Sequence, residues 1–144
     1  MSATNNTVSA SNILYTGYTT TAGGREGRAV SDDGQLDVKL STPGSNLPGT
    51  NPEQLFGAGW SACFTGAMRH AARAARIDFP LATAVSAEID LGLDADGYFL
   101  QARLLVSLPG LDRATAQQLI DAAHQTCPYS KATRGNINVT ITLA

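Results

Sequence analysis

Residues 53–68 read EQLFGAGWSACFTGAM, and from residue 55 to residue 68 there is no charged side chain. The large groups Phe56, Trp60, Phe64 and Met68 recur at every fourth position. Leu55, Gly59, Cys63, Ala67 and Ala71 make a second row, offset by one residue and mostly small. Residues four apart lie on one face of an α-helix, so the first row is a ridge of bulk with the second beside it. A helix apolar over so much of its circumference is expected to be buried on most sides, with the small row letting another backbone come close. Upstream, Thr50 and Glu53 have capping-box spacing and Pro52 suits a first turn. Downstream, RHAARAAR places cations where they oppose the helix dipole. The spacing predicts one long central helix ending near Arg76.

Working outward, residues 12–42 read as β-structure, with alternating Leu36, Val38 and Leu40 and a hairpin signal at Asp33-Gly34. The loop TPGSNLPG then stops the strand. After the central helix, TAVSAEIDLGL and YFLQARLLVSL are two strands joined by the turn sequence DADG. LPGLDRATAQQLIDAAHQ is a second helix, with Asp112 as N-cap and Leu119, Ile120 and Ala123 facing inward. NINVTITLA closes the chain as a strand with Ile137, Val139 and Ile141 alternating. Sheet, long helix, hairpin, helix and strand in that order predict an α+β fold with helices laid against antiparallel sheet. The expected organisation is a polar N-terminal arm over residues 1–11 and one domain over residues 12–144.

Composition removes several classes of function. A formal net charge of -2 gives no electrostatic case for nucleic acid, whose partners carry a basic face. The first twelve residues contain no Lys or Arg and no apolar core segment, so they do not read as a signal peptide. The apolar run of 14 residues is short of the ~20 that span a bilayer. A cytosolic setting is expected, where lasting disulfides are rare. Charged residues are 15% of the chain against ~25% in typical soluble chains, which fits an oligomer that hides part of its surface.

Two cysteines 64 positions apart are not a CxxC pair. Read alone, Cys63 is either a small buried hydrophobe or a nucleophile, and the second reading needs a thiolate. Bringing a thiol from its free pKa of ~8.5 to ~6.5 takes roughly 2.7 kcal/mol of preference for the anion. An apolar helix opposes that, so a cation or aimed donors must be close. Cys127 precedes Pro128, which cannot continue a helix but can open one, and that would set Cys127 at a helix N-terminus. Arg25 sits in GGREG, either as an exposed turn residue or on a loop that folds inward. Glu53 can cap its own helix and also fix an arginine bidentately. His70 lies two helical turns from Cys63, roughly 10 Å away, too far for a Cys–His nucleophile pair. His124 and Cys127 are close enough to share a metal, yet Cys63 and His70 on one helix could hardly complete a zinc site with them.

Three separated stretches, GGREGRAVSDDGQLDVKLSTP, TNPEQLFGAGWSACF and CPYSKATRGNINV, resemble the organic hydroperoxide resistance branch of the family that also holds the osmotically inducible peroxidases. The resemblance runs from about Tyr15 to the C-terminus. It implies an OsmC-like fold, with antiparallel sheets wrapped around two long central helices in an intertwined homodimer whose subunits share active sites. It implies a cysteine-based peroxidase that reduces alkyl or fatty-acid hydroperoxides to alcohols without metal, flavin or haem. By motif, Cys63 matches the peroxide-attacking cysteine and Cys127 the resolving cysteine that closes a disulfide with it. Arg25 matches the arginine that stabilises the thiolate, and Glu53 the carboxylate that holds that arginine. The implied reductant is the dihydrolipoyl group of a lipoylated protein. Trp60 stands where a smaller aromatic is usual, and the loop at 43–49 is short; both bear on pocket shape. The alternatives are the osmotically inducible branch, with the same chemistry, and a noncatalytic homologue that binds a hydrophobic ligand.

Overall fold

The helix expected from the 3.6-residue pattern is α1, Pro52–Ala74. The computed structural model describes residues 12–144, so the expected arm over residues 1–11 lies outside the described residues. The start of α1 differs from the capping-box reading by one residue. Asn51, not Thr50, is the N-cap, its side chain accepting from the Gln54 N–H at 2.8 Å. Pro52 fixes φ at a helical value and so takes the first helical position, which leaves the residue before it as the cap. Such a cap is worth about 1 kcal/mol.

The chain divides into two compact units, one ending at Thr50 and one running Asn51–Ala144. The first holds three short antiparallel strands, β1 (Thr19–Ala22), β2 (Arg28–Ser31) and β3 (Asp37–Lys39), in that order across the sheet. Residues 13–18, expected to extend β1, lie outside the strand. A short 3-10 turn, Gly24–Glu26, joins β1 to β2. Glycine is required there: a Cβ on Gly27 would lie 1.6 Å from the Ala22 carbonyl oxygen, and Gly23 has φ 79°. Arg28 and Asp37 pair across β2 and β3 at 2.6 and 2.5 Å. Hydrogen bonds from Thr50 N to Lys39 O and from Ser41 N to Thr50 O, both 2.9 Å, draw the ends of the Pro/Gly-rich loop together.

In the second unit, α1 packs on a three-stranded sheet of order β4-β5-β6. Strands β4 (Ala84–Asp94) and β5 (Gly97–Ser107) are antiparallel, turning through Ala95 and Asp96 at the predicted DADG. Next come α2 (Arg113–Thr126), α3 (Pro128–Thr133) and β6 (Asn138–Leu143). β6 pairs with β5 in parallel, a departure from the all-antiparallel expectation. The helical crossover through α2 and α3 explains it, because it returns the chain to the end where β5 began.

Trp60, Phe64, Met68 and Ala72 on α1 are fully buried against Ala102, Leu104 and Val106 of β5 and Ala116, Leu119, Ile120 and Ala123 of α2. At 25 cal/mol per Å² of apolar area, such large side chains each contribute about 1.5–3 kcal/mol. The predicted ridge therefore faces the core, with Phe56 partly buried at its N-terminal end. The small row, including Gly59 and Cys63, is half-buried, and Ala58, Ala62 and Gly66 on the remaining face are exposed. Gly57 brings α1 down onto the sheet, since a Cβ there would sit 3.4 Å from Ile89 Cγ1 and 3.5 Å from Ala87 Cβ. No helix among the described residues is long and apolar enough to cross a membrane.

Candidate active site

Cys63 lies in the middle of α1, half-buried, and Cys127 is wholly buried where α2 meets α3. Proline chemistry makes that junction. Pro128 disfavours helical geometry in the residue before it, and Cys127 accordingly has φ −59° and ψ 122°. Its N–H closes α2 by donating to Ala123 O at 2.7 Å, and its carbonyl accepts from Lys131 N at 2.9 Å to begin α3. Cys127 is thus C-cap of one helix and N-cap of the next.

This break turns α3 onto α1. The two thiols are free and stand in hydrogen-bond contact with each other, and the Tyr129 N–H donates to the Cys63 sulfur. Burial raises the Cys63 pKa above the ordinary thiol value, the contact with Cys127 raises it further, and the Tyr129 N–H pulls it back in part. The arrangement therefore keeps the Cys63 thiol protonated, and a stronger anion stabiliser is needed to make Cys63 a ready nucleophile.

Aromatic groups from α1 and α3, near the two cysteines in sequence, pack on one another. The Phe56 ring meets Trp60 edge-on at 5.4 Å and Tyr129 at 6.1 Å. Gly59 leaves room for Tyr129, whose hydroxyl oxygen would be 3.2 Å from a Cβ placed there. Trp60 Nε1 donates to Ser130 Oγ at 3.4 Å, with both residues fully buried. The Trp60 ring is therefore part of the core, and its effect on the site runs through α3. Tyr129 and Ser130 were not singled out from the sequence, although the CPYS stretch contains them. A signal was present: a residue two or three places past a helix-opening Cys-Pro is directed by the new helix, not by the old one.

Arg25 lies on the glycine-framed 3-10 turn of the first unit and is exposed. Glu53 lies in the first turn of α1 in the second unit and is half-buried. A carboxylate there is favoured by the helix dipole. His70 is exposed on α1. His124 has a buried Nδ1 without a hydrogen-bond partner, and its pKa is lowered by burial and by Arg134, with Asp121 opposing. The Arg134 guanidinium also donates to the His124 carbonyl. Among the described residues no group of three or more His, Cys, Asp or Glu side chains is placed to hold a metal ion.

The model of the OsmC-like protein family matches residues 42–142. The chain is 50% identical over 136 residues to an organic hydroperoxide resistance protein of Xanthomonas axonopodis pv. citri, covering 92% of this chain and 96% of that protein. It is 44% identical over 135 residues to the organic hydroperoxide resistance protein OhrB of Bacillus subtilis, covering 90% and 98%. The crystal structure of OhrB superposes with a TM-score of 0.86 at 42% identity, covering 92% of this chain and all of that one. A crystal structure of an organic hydroperoxide resistance protein from Elizabethkingia anophelis gives 0.85 at 42% identity, covering 92% and 97%.

Proposed function

The chain belongs to the OsmC-like family, in its organic hydroperoxide resistance branch, and on that premise we propose that it is a two-cysteine peroxidase that reduces organic hydroperoxides. One observation carries the reading: two thiols 64 residues apart in sequence meet in hydrogen-bond contact beside a backbone N–H aimed at one of them. A lone buried thiol is ordinary packing, but two thiols brought together from distant positions are what a disulfide cycle requires.

The Cys63 thiolate attacks the distal oxygen of ROOH, the O–O bond breaks, and the alkoxide leaves as ROH after taking a proton. Cys63 becomes a sulfenic acid. Cys127 attacks that sulfur, an S–S bond forms as the S–O bond breaks, and the hydroxyl departs as water with the thiol proton. A dithiol then restores both cysteines by exchange. Cys63 is the half-exposed member of the pair and Cys127 the enclosed one, which supports attack by Cys63 and resolution by Cys127.

Arg25 supplies the positive charge that stabilises the Cys63 thiolate, and Glu53 orients that guanidinium. In apolar surroundings each buried methylene of the substrate adds ~0.8 kcal/mol, which favours alkyl and fatty-acid peroxides over hydrogen peroxide. The reductant is a dihydrolipoyl group on a lipoylated protein, and the cycle runs in a reducing compartment, the cytosol. The protein acts as a homodimer. Leu91, Leu93 and Tyr98 continue the inner face of the sheet yet are 47%, 67% and 78% exposed, and the Ala58–Ala62–Gly66 face of α1 is bare as well. Such surface is expected to be covered by a second copy.

Peroxide consumption with dihydrolipoamide as donor tests the activity, and Cys127→Ser tests the cycle. The variant should reduce about one equivalent of cumene hydroperoxide and then accumulate Cys63 sulfinic acid, seen by mass. Sustained turnover by that variant would reject Cys127 as the resolving residue. A monomer by analytical ultracentrifugation would reject the dimer.

A further inference from the structure

We propose that the buried hydrogen bond between Trp60 and Ser130 is a positioning clasp that sets the approach of Cys127 to Cys63 for disulfide closure. The inference rests on the two-cysteine reading above. Trp60 lies one helical turn before Cys63 on α1, and Ser130 lies three residues after Cys127 on α3. Their 3.4 Å bond links elements 70 residues apart, and neither residue has solvent exposure.

The need for a clasp follows from the break at Cys127. The α2 hydrogen-bond ladder stops at the Cys127 N–H, and the extended ψ of 122° means that α3 does not inherit its direction from α2. Tertiary contact must orient it. Phe56 and Gly59 offer Tyr129 an apolar seat, which resists separation but tolerates sliding and rotation. A hydrogen bond between two groups shut away from water is directional, and turning α3 would leave the indole N–H buried without a partner. Rotation of α3 would also move the Tyr129 N–H off the Cys63 sulfur and shift Cys127. The Trp60–Ser130 bond thus ties α3 to α1, beside the Arg134 contact with the His124 carbonyl that ties the end of α3 to α2.

The clasp acts at the branch point of the sulfenic acid. There Cys127 can condense with Cys63, expelling water, or a second ROOH can transfer an oxygen to give the sulfinic acid and ROH. Displacement of the attacking atom by on the order of 1 Å slows an intramolecular step by up to about a hundredfold. The second route depends on peroxide concentration alone.

The experiment treats the full-length wild type, Ser130→Ala, Ser130→Thr and Trp60→Phe with graded cumene hydroperoxide and measures disulfide and sulfinic acid by intact mass. Melting temperatures are recorded in parallel. At a fixed peroxide dose, Ser130→Ala and Trp60→Phe should raise the ratio of sulfinic acid to disulfide by about tenfold. Ser130→Thr keeps the hydroxyl and should return the ratio toward wild type. Ser130→Ala removes a single oxygen and carries the test even if Trp60→Phe does not fold. A lowered melting temperature with the wild-type ratio would overturn the clasp and leave the peroxidase reading standing. Wild-type protein that forms neither alcohol nor disulfide would defeat both.

Discussion

The thiol-bearing unit and the arginine-bearing unit are built by opposite means. Asn51–Ala144 surrounds its two sulfurs with a continuous apolar core from α1, α2 and the sheet. The first unit has three strands of four, four and three residues, and its buried apolar side chains among the described residues are Ala29 and Leu40. Three short strands with so little burial are marginal by themselves. On the proposed mechanism, the difference teaches where each chemical requirement is met. Bringing two sulfurs together needs rigid packing, because a thiol contact has a narrow range of distance. Presenting a guanidinium needs only a turn of defined shape, and glycines shape it through backbone conformation.

The most forceful way to break this comparison is to remove the nucleophile. Cys63→Ser should lower peroxide turnover by about a thousandfold or more, since a serine hydroxyl stays protonated at neutral pH. Near-normal rates with cumene hydroperoxide would show that the packed thiol pair is not the reacting centre. Next, Arg25→Ala should shift the pH profile of Cys63 alkylation upward and cut peroxide turnover at pH 7 by about tenfold or more. An unshifted profile would mean that the second unit activates its thiol alone, through the Tyr129 N–H.

Gly27→Ala sharpens the same point without removing any charge. A Cβ would collide with the Ala22 carbonyl, so the turn must reshape. Turnover should fall by several-fold to about tenfold, approaching the Arg25→Ala value, whereas the thiol pair should still close under a chemical thiol oxidant. Loss of that oxidant-driven disulfide would show that the thiols depend on the first unit for their contact.

The smallest effect is electrostatic and lies outside the site. Arg103 and Gln101 hold the Asp90 carboxyl down at about 2 by hydrogen bonding. A carboxylate lowered in the folded state binds protons more readily when unfolded. Its contribution is therefore complete above ~3.9 and is lost as the pH falls toward about 2. Asp90→Asn should flatten that part of the acid-denaturation curve, measured by urea midpoints from pH 5 to pH 2.5. The group is exposed, so only a small change is expected.

Much of the fold was legible in the sequence. The Trp60–Phe64–Met68 ridge faces the core because periodic bulk has one way to be buried on a helix. Asp112 caps α2 through the Thr115 N–H as its residue type predicts, and Cys127-Pro128 separates two helices as proline sterics require. The N-cap falls one residue later than Thr50 because Pro52 takes the first helical position and leaves Asn51 as the cap. The direction of β6 was not legible, since alternating Val139 and Ile141 suit parallel and antiparallel pairing alike.

By itself, then, the amino-acid sequence determined the elements, their buried faces, the break at Cys127 and the two residues with thiol chemistry. These depend on neighbours within about a helical turn, where side-chain period and backbone sterics decide the outcome. The tertiary structure brought Cys63 to Cys127, as the family resemblance implied, and it alone decided that Tyr129 aims its N–H at the sulfur and that Trp60 serves the core and grips Ser130. Those contacts join positions tens of residues apart. They arise from how whole faces pack, and no local pattern encodes a distance across the core.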